Sequence, residues 1–133
     1  MLLTRRMDFS AAHCLWRPDW DEARNRAVYG AAASEFPHGH NYALEVTIRG
    51  EVDPETGMVI DLKRLKEIMR SEVETRFDHR NLNEESDHFR DVPPTAENLA
   101  RTIFELLDRA LPDDLLYRVR LSPTEDLTVE VTR

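Results

Sequence analysis

Tyr42-Ala43-Leu44-Glu45-Val46-Thr47-Ile48-Arg49 alternates without a break. Tyr42, Leu44, Val46 and Ile48 fall on one side and Ala43, Glu45, Thr47 and Arg49 on the other, the two-residue period of a strand with one face on a core. Upstream, Leu3, Met7 and Phe9 share a parity that continues to Ala11 and His13, with Arg5 the exception on an otherwise apolar face, so a first strand precedes this one. Downstream, Asp53-Pro54-Glu55-Thr56-Gly57 is a turn by residue type. A helix should follow it: Leu62, Leu65, Ile68, Met69, Val73 and Phe77 recur at helical spacing behind Asp61, which is placed to cap the first free backbone N–H groups. Pro93-Pro94-Thr95 announces a second helix with an apolar stripe at Ala96, Leu99, Ile103, Leu106, Leu107 and Ala110, stopped by Pro112. Tyr117, Val119 and Leu121, then Leu127, Val129 and Val131, alternate as two closing strands around Ser122-Pro123-Thr124-Glu125-Asp126.

The order ββααββ predicts an α+β domain, a four-stranded antiparallel sheet with two helices covering one face. The 133 residues fit one domain spanning 1-133. Exposed edges on so short a sheet predict pairing with further copies in a closed homo-oligomer. Between the first two strands, Cys14 to Pro37 shows no sustained period and is too long for an ordinary connection; such loops are functional or disordered.

Composition narrows the function. Hydrophobic residues make up 41% and charged residues 33%, the balance of a soluble globular chain. A single cysteine excludes an internal disulfide framework, and the N-terminus carries no apolar run with a small-residue cleavage site, so a cytoplasmic address is expected. No apolar stretch is long enough to cross a bilayer, which argues against a membrane partner. The net charge of -8 argues against a general nucleic-acid partner, because phosphate attraction dominates that kind of binding. Basic residues are almost all Arg; the only lysines are Lys63 and Lys66.

The chemistry gathers at the ends of the unassigned loop. His38 and His40 lie on one face of an extended segment, and His13 joins them if the first two strands pair. A lone His-x-His is more often a polar surface feature, but a third histidine across the hairpin and the long loop between them turn the reading towards a metal site. Three imidazoles with an open fourth position is the pattern of catalytic zinc. Cys14 points away from His13 if the strand continues, and is read as a small buried hydrophobe. After the first helix, Asp78 beside His79 could tune a general acid or base, although adjacent Asp and His in a polar loop are mostly solvated or capping residues. His88 is expected at the surface.

Several motifs in order resemble the 6-pyruvoyl-tetrahydropterin synthase and 6-carboxy-tetrahydropterin synthase family: Phe9-Ser10-Ala11-Ala12-His13, Asn25 with Tyr29-Gly30, His38-Gly39-His40-Asn41-Tyr42, Gly57-Met58-Val59-Ile60-Asp61-Leu62, Asp78-His79-Arg80-Asn81-Leu82-Asn83 and Pro94-Thr95-Ala96-Glu97-Asn98-Leu99. The resemblance implies the tunnelling fold (T-fold), in which three chains join their sheets into a barrel and two barrels stack, with active sites between subunits. It implies that His13, His38 and His40 hold Zn2+, that Asp78 and His79 serve a proton relay, and that Thr95 contacts a pterin. The chain departs from the family at two places. Ala32 stands where members making pyruvoyl or carboxy pterins carry a catalytic cysteine, while Glu35-Phe36-Pro37-His38-Gly39-His40 resembles the Glu-x-x-His-Gly-His signature of the type III homologues. Pro123 stands where a pterin-anchoring Glu precedes a Thr, leaving Thr124 and Glu125 as the nearest candidates.

The resemblance therefore implies a zinc-dependent lyase that cleaves the side chain of 7,8-dihydroneopterin triphosphate to 6-hydroxymethyl-7,8-dihydropterin for folate synthesis. Glu35 would be the base, and Arg24 and Arg26 are candidates for the triphosphate, with solvated loop charges as the equal alternative. Two other readings stand beside it: a pyruvoyl- or carboxy-type synthase with its thiol replaced, and a zinc- and pterin-binding homologue without catalysis.

Overall fold

The computed structural model describes residues 1–112 and 114–133. In chain order the elements are β1 (Leu2–His13), α1 (Glu22–Tyr29), β2 (His38–Arg49), α2 (Leu62–Met69), α3 (Thr75–Phe77), β3 (Arg80–Asn81), α4 (Leu82–Glu85), α5 (Ala96–Ala110), β4 (Leu116–Thr124) and β5 (Leu127–Thr132). Among the described residues no helix is long and apolar enough to cross a membrane.

The sheet order is β3-β1-β2-β4-β5. Neighbours pair antiparallel except β3, which runs parallel to β1 at Ala11 and Ala12. This corrects the expected four-stranded antiparallel sheet and the simple ββααββ order. A two-residue strand has no period to read, and α1 escapes a hydrophobic scan because its one buried side chain is Asn25.

Leu44, Val46 and Ile48 of β2 meet Leu65 and Met69 of α2 and Leu99, Ile103 and Leu107 of α5 in a closed core. The expected cap forms, with Asp61 accepting from the Lys63 N–H at 2.9 Å, and Thr95 Oγ1 caps α5 in the same way, accepting from the Asn98 N–H at 3.2 Å. Leu62, counted in the apolar stripe, is 46% exposed. The buried positions are Leu65, Met69, Val73 and Phe77, a spacing of four that drifts around a regular helix. A π-helical segment at Arg70–Glu74 joins α2 to α3 and absorbs the drift, so Val73 and Phe77 stay on the core.

The opposite face of the sheet is polar. Thr4 and Thr47 share a 2.8 Å hydrogen bond, and Arg120 bridges Glu45 and Glu130 at 3.1 and 3.3 Å. Histidine parity therefore decides which side the chemistry occupies: His13, His38 and His40 continue the core face, where the strands run past the helices.

Candidate metal centre and the clefts around it

The β1–β2 register pairs His13 with His38 and Ala11 with His40, so three imidazoles meet at one end of a single strand pair. Their Nε2 atoms form a triangle with edges of 3.0, 3.1 and 3.2 Å. Tetrahedral bonds of about 2.0–2.1 Å to zinc hold nitrogens roughly 3.3 Å apart, so the cluster fits a divalent ion with little adjustment.

Protonation is settled by the backbone. His13 Nδ1 lies 2.6 Å from the Pro94 carbonyl, which can only accept, so Nδ1 carries the proton and Nε2 turns a bare lone pair into the triangle. Burial pushes the His13 pKa down; the Pro94 carbonyl opposes this, and the His38 and His40 rings add to it. Burial and His38 likewise lower His40. Neutral imidazole is the form a metal needs. Beneath the cluster, Tyr42 stacks on Phe9 at 5.0 Å, and its buried hydroxyl, without a hydrogen-bond partner, is pushed up to about 12.

What fixes the end of β1 is an amide. Asn83 Oδ1 accepts from the Cys14 N–H at 2.8 Å, and Asn83 Nδ2 donates to the Cys14 carbonyl at 3.1 Å, completing the strand edge where no further strand exists. The long loop is organised the same way. Asn25, fully buried, accepts from the Arg17 N–H and donates to the carbonyls of Arg17 and Asp21. An isolated bridge between Leu15 and Ala33 closes the base of the loop. Neither amide's role was visible in the sequence, although both residues lie in the quoted motifs.

Glu35, exposed, lines a cleft of about 640 Å³ together with Cys14, Arg17, Asn83, Arg90 and Pro94. The Pro94 carbonyl that holds His13 thus belongs to the wall of the Glu35 cleft. Cys14 is half-buried and faces the same cleft rather than the core, and burial raises its thiol pKa, with Glu84 adding to the shift.

Asp78 and His79 lie on a second hollow, which His40 also lines. Asp78 Oδ1 accepts from the Ser10 N–H at 2.9 Å, and its other oxygen lies 2.9 Å from His79 Nδ1. The Ser10 hydrogen bond is the main reason the Asp78 carboxyl stays below its usual value. His79 adopts φ 59, a left-handed conformation uncommon for a residue with a Cβ, and its ring is 82% exposed. The pair lines a broad hollow of about 1060 Å³ with Ser10, Asn41, Thr124 and Glu125. The two clefts share no lining residue, so one chain keeps Glu35 apart from the Asp78–His79 pair.

The remaining candidates have local employment. Thr95 caps α5, and Thr124 Oγ1 donates to Asp126 at 2.7 Å. The Arg24 guanidinium lies over Trp20 at 4.1 Å, and Arg26 pairs with Glu22 at 2.9 Å. The arginines on the Glu35 cleft are Arg17 and Arg90.

The family model described as 6-pyruvoyl tetrahydropterin synthase matches residues 2–133. The chain belongs to this family. The 6-pyruvoyl tetrahydrobiopterin synthase of Poecilia reticulata is 41% identical over 92% of this chain and 84% of its own. A dihydroneopterin monophosphate aldolase of Pyrococcus furiosus is 34% identical over 95% of this chain and 92% of its own. The structure of Caenorhabditis elegans 6-pyruvoyl tetrahydropterin synthase superposes with a TM-score of 0.93 at 35% identity, covering 100% of this chain and 95% of that one. The fold is the family's tunnelling fold, and the three histidines stand ready to hold a metal ion.

Proposed function

We propose that the chain is a zinc-dependent lyase that cleaves the side chain of 7,8-dihydroneopterin triphosphate to 6-hydroxymethyl-7,8-dihydropterin. The observation that carries this reading is a carboxylate, Glu35, three residues before His38 and on the cleft walled by Pro94, whose carbonyl holds His13, with Ala32 where a thiol base would stand. The one thiol in the cleft, Cys14, has its pKa raised, so it is a poor thiolate at neutral pH. The aldolase relative from Pyrococcus furiosus supports carbon–carbon cleavage.

Zinc on His13, His38 and His40 would bind the vicinal side-chain hydroxyls and lower their pKa. Glu35 takes the proton from the C2' hydroxyl, a C2' carbonyl forms, and the C1'–C2' bond breaks with its electron pair passing into the pterin ring. The Asp78–His79 pair returns a proton at C1', leaving hydroxymethyl on the pterin and an aldehyde that carries the phosphates. The His79–Asp78 contact suits this role, since the carboxylate orients the ring. Because one chain keeps Glu35 and His79 on separate clefts, the reading requires a site completed by a second copy, in a dimer of trimers or another closed ring. Arg17 and Arg90, each paired with a neighbouring carboxylate, Asp19 and Asp87, line the Glu35 cleft and join Arg24 and Arg26 as candidates for the phosphate tail.

The test is product analysis on dihydroneopterin triphosphate with the zinc-loaded protein. Appearance of 6-hydroxymethyl-dihydropterin is expected, and Glu35→Gln should keep the metal and lose about 100-fold or more in rate. The 41% identity to a pyruvoyl-forming relative supports a second reading, in which the product keeps the side chain as pyruvoyl; that product in place of hydroxymethyl-dihydropterin would displace the first.

A further inference from the structure

Ser10 is bonded on three sides. Its N–H donates to Asp78 Oδ1 at 2.9 Å and its carbonyl accepts from the His79 N–H at 2.6 Å, so both backbone groups turn outward, away from β2. In the β1–β2 register Ser10 stands opposite Asn41. With the Ser10 backbone engaged elsewhere, the two residues form a pair without ladder hydrogen bonds, in which opposed side chains approach most closely. The side chains make the missing connection: Ser10 Oγ donates to Asn41 Oδ1 at 2.7 Å. Asn41 directly follows the ligand His40, and Ser10 stands three residues before His13. Nothing apolar fixes the imidazole seated on this peptide, since His79 holds a left-handed φ of 59 and its ring is 82% exposed.

We propose that Ser10 and Asn41 are positioning residues for the Asp78–His79 pair: their side-chain hydrogen bond pins the Ser10 peptide to the ligand strand, and that peptide sets the carboxylate and the imidazole. A tilt of the peptide displaces its N–H and its carbonyl together, so Asp78 and His79 move as a unit. A misplacement of about 1 Å costs a group in the chemistry up to roughly 100-fold in rate. The carboxylate can only accept, so its 2.9 Å contact holds the proton of the neutral His79 ring on Nδ1 and leaves Nε2 as the working nitrogen. All of these contacts lie within one chain and none needs an open surface, so a closed assembly leaves them intact. The pair's part in proton transfer rests on the reaction proposed above; its placement does not.

Magic-angle-spinning spectra of the sedimented, zinc-loaded protein with nitrogen-labelled histidine read the tautomer directly, at an alkaline pH where the rings are neutral. Of the five histidines, His79 and His88 lie outside the metal cluster, so His88 is the control. Wild type should show His79 with its proton on Nδ1; a proton on Nε2 overturns the proposal. Ser10→Ala and Asn41→Ala should each give His79 as a mixture of the two tautomers, with zinc content and the His88 signals unchanged. Ser10→Thr keeps the hydroxyl and should keep the wild-type spectrum. A His79 tautomer unmoved by either alanine overturns the proposal, as does one that moves together with His88. On dihydroneopterin triphosphate, Ser10→Ala should lower kcat about tenfold with KM changed less than about twofold, and should cost nothing further in a His79→Ala background. Full additivity of those two changes would place the effect of Ser10 elsewhere and also overturn it. If the wild-type protein does not turn over that substrate, the proposed reaction falls, and the tautomer alone decides the positioning.

Discussion

Replacing His13 by alanine removes two things at once, a metal ligand and the donor that satisfies the Pro94 carbonyl. A buried carbonyl without a partner costs about 1–3 kcal/mol, so His13→Ala is expected to lower the stability of the metal-free protein by that order as well as empty the site. His38 is exposed, and His38→Ala should abolish metal binding while changing metal-free stability by less than about 0.5 kcal/mol. Metal content by mass spectrometry and urea denaturation of the stripped proteins check both. Asp78 gives a pH signature. Its carboxyl lies below its ordinary value in the fold, so the carboxylate stabilises the protein above the unfolded value of about 3.9 and the contribution disappears as pH falls through the lower folded value. Urea midpoints for wild type and Asp78→Asn should differ at pH 7 and converge below about pH 4; a constant gap across that range would contradict the assignment. At this scale the three histidines were legible because strand parity is a property of sequence. The Pro94 carbonyl was not, since a backbone atom carries no signature of what it will meet.

Between elements, the small amides do the joining. Asn83 stands in for a missing strand at the end of β1, directly after His13, so Asn83→Ala should loosen the ligand strand more than it loosens the core. Metal affinity measured against a chromophoric chelator is expected to fall at least tenfold, with a stability loss of about 1–3 kcal/mol. Equal metal affinity in the two proteins would remove Asn83 from the metal's support. The apolar elements announced themselves by period: β2 by strict alternation, α5 by its stripe, and the α2 run by a spacing that also explains its π-helical segment. Elements held by polar contacts did not. α1 is built on Asn25, and β3 on two backbone pairs with Ala11 and Ala12, and neither leaves a hydrophobic rhythm to detect.

For the whole molecule, the decisive fact is division. Glu35 and the Asp78–His79 pair face different clefts, and among the described residues β1 from Leu2 to Phe9 and the outer side of β5 are unpaired edges. Sedimentation at equilibrium should find a closed assembly larger than a dimer. A sharper experiment mixes two inactive proteins. If each site takes Glu35 from one copy and His79 from another, Glu35→Gln and His79→Ala chains exchanged at equal concentration should regain activity at about a quarter of the sites. No recovery would place both residues' chemistry within a single chain. The sequence resemblance implies a site between subunits, and the alternation of β2 already marked an apolar and a polar face, but the separation of the clefts emerged only when the strands were in register.

The bridge between Leu15 and Ala33 has an evolutionary consequence. It pinches off residues 16–32 from the strands that carry the histidines, while Glu35 lies on the strand side of the pinch. Closing a longer loop costs little, about 0.6 kcal/mol for each doubling of its length. The segment can therefore be lengthened, shortened or exchanged as a cassette without displacing base or ligands, which leaves descendants free to vary what approaches the metal while inheriting the metal itself.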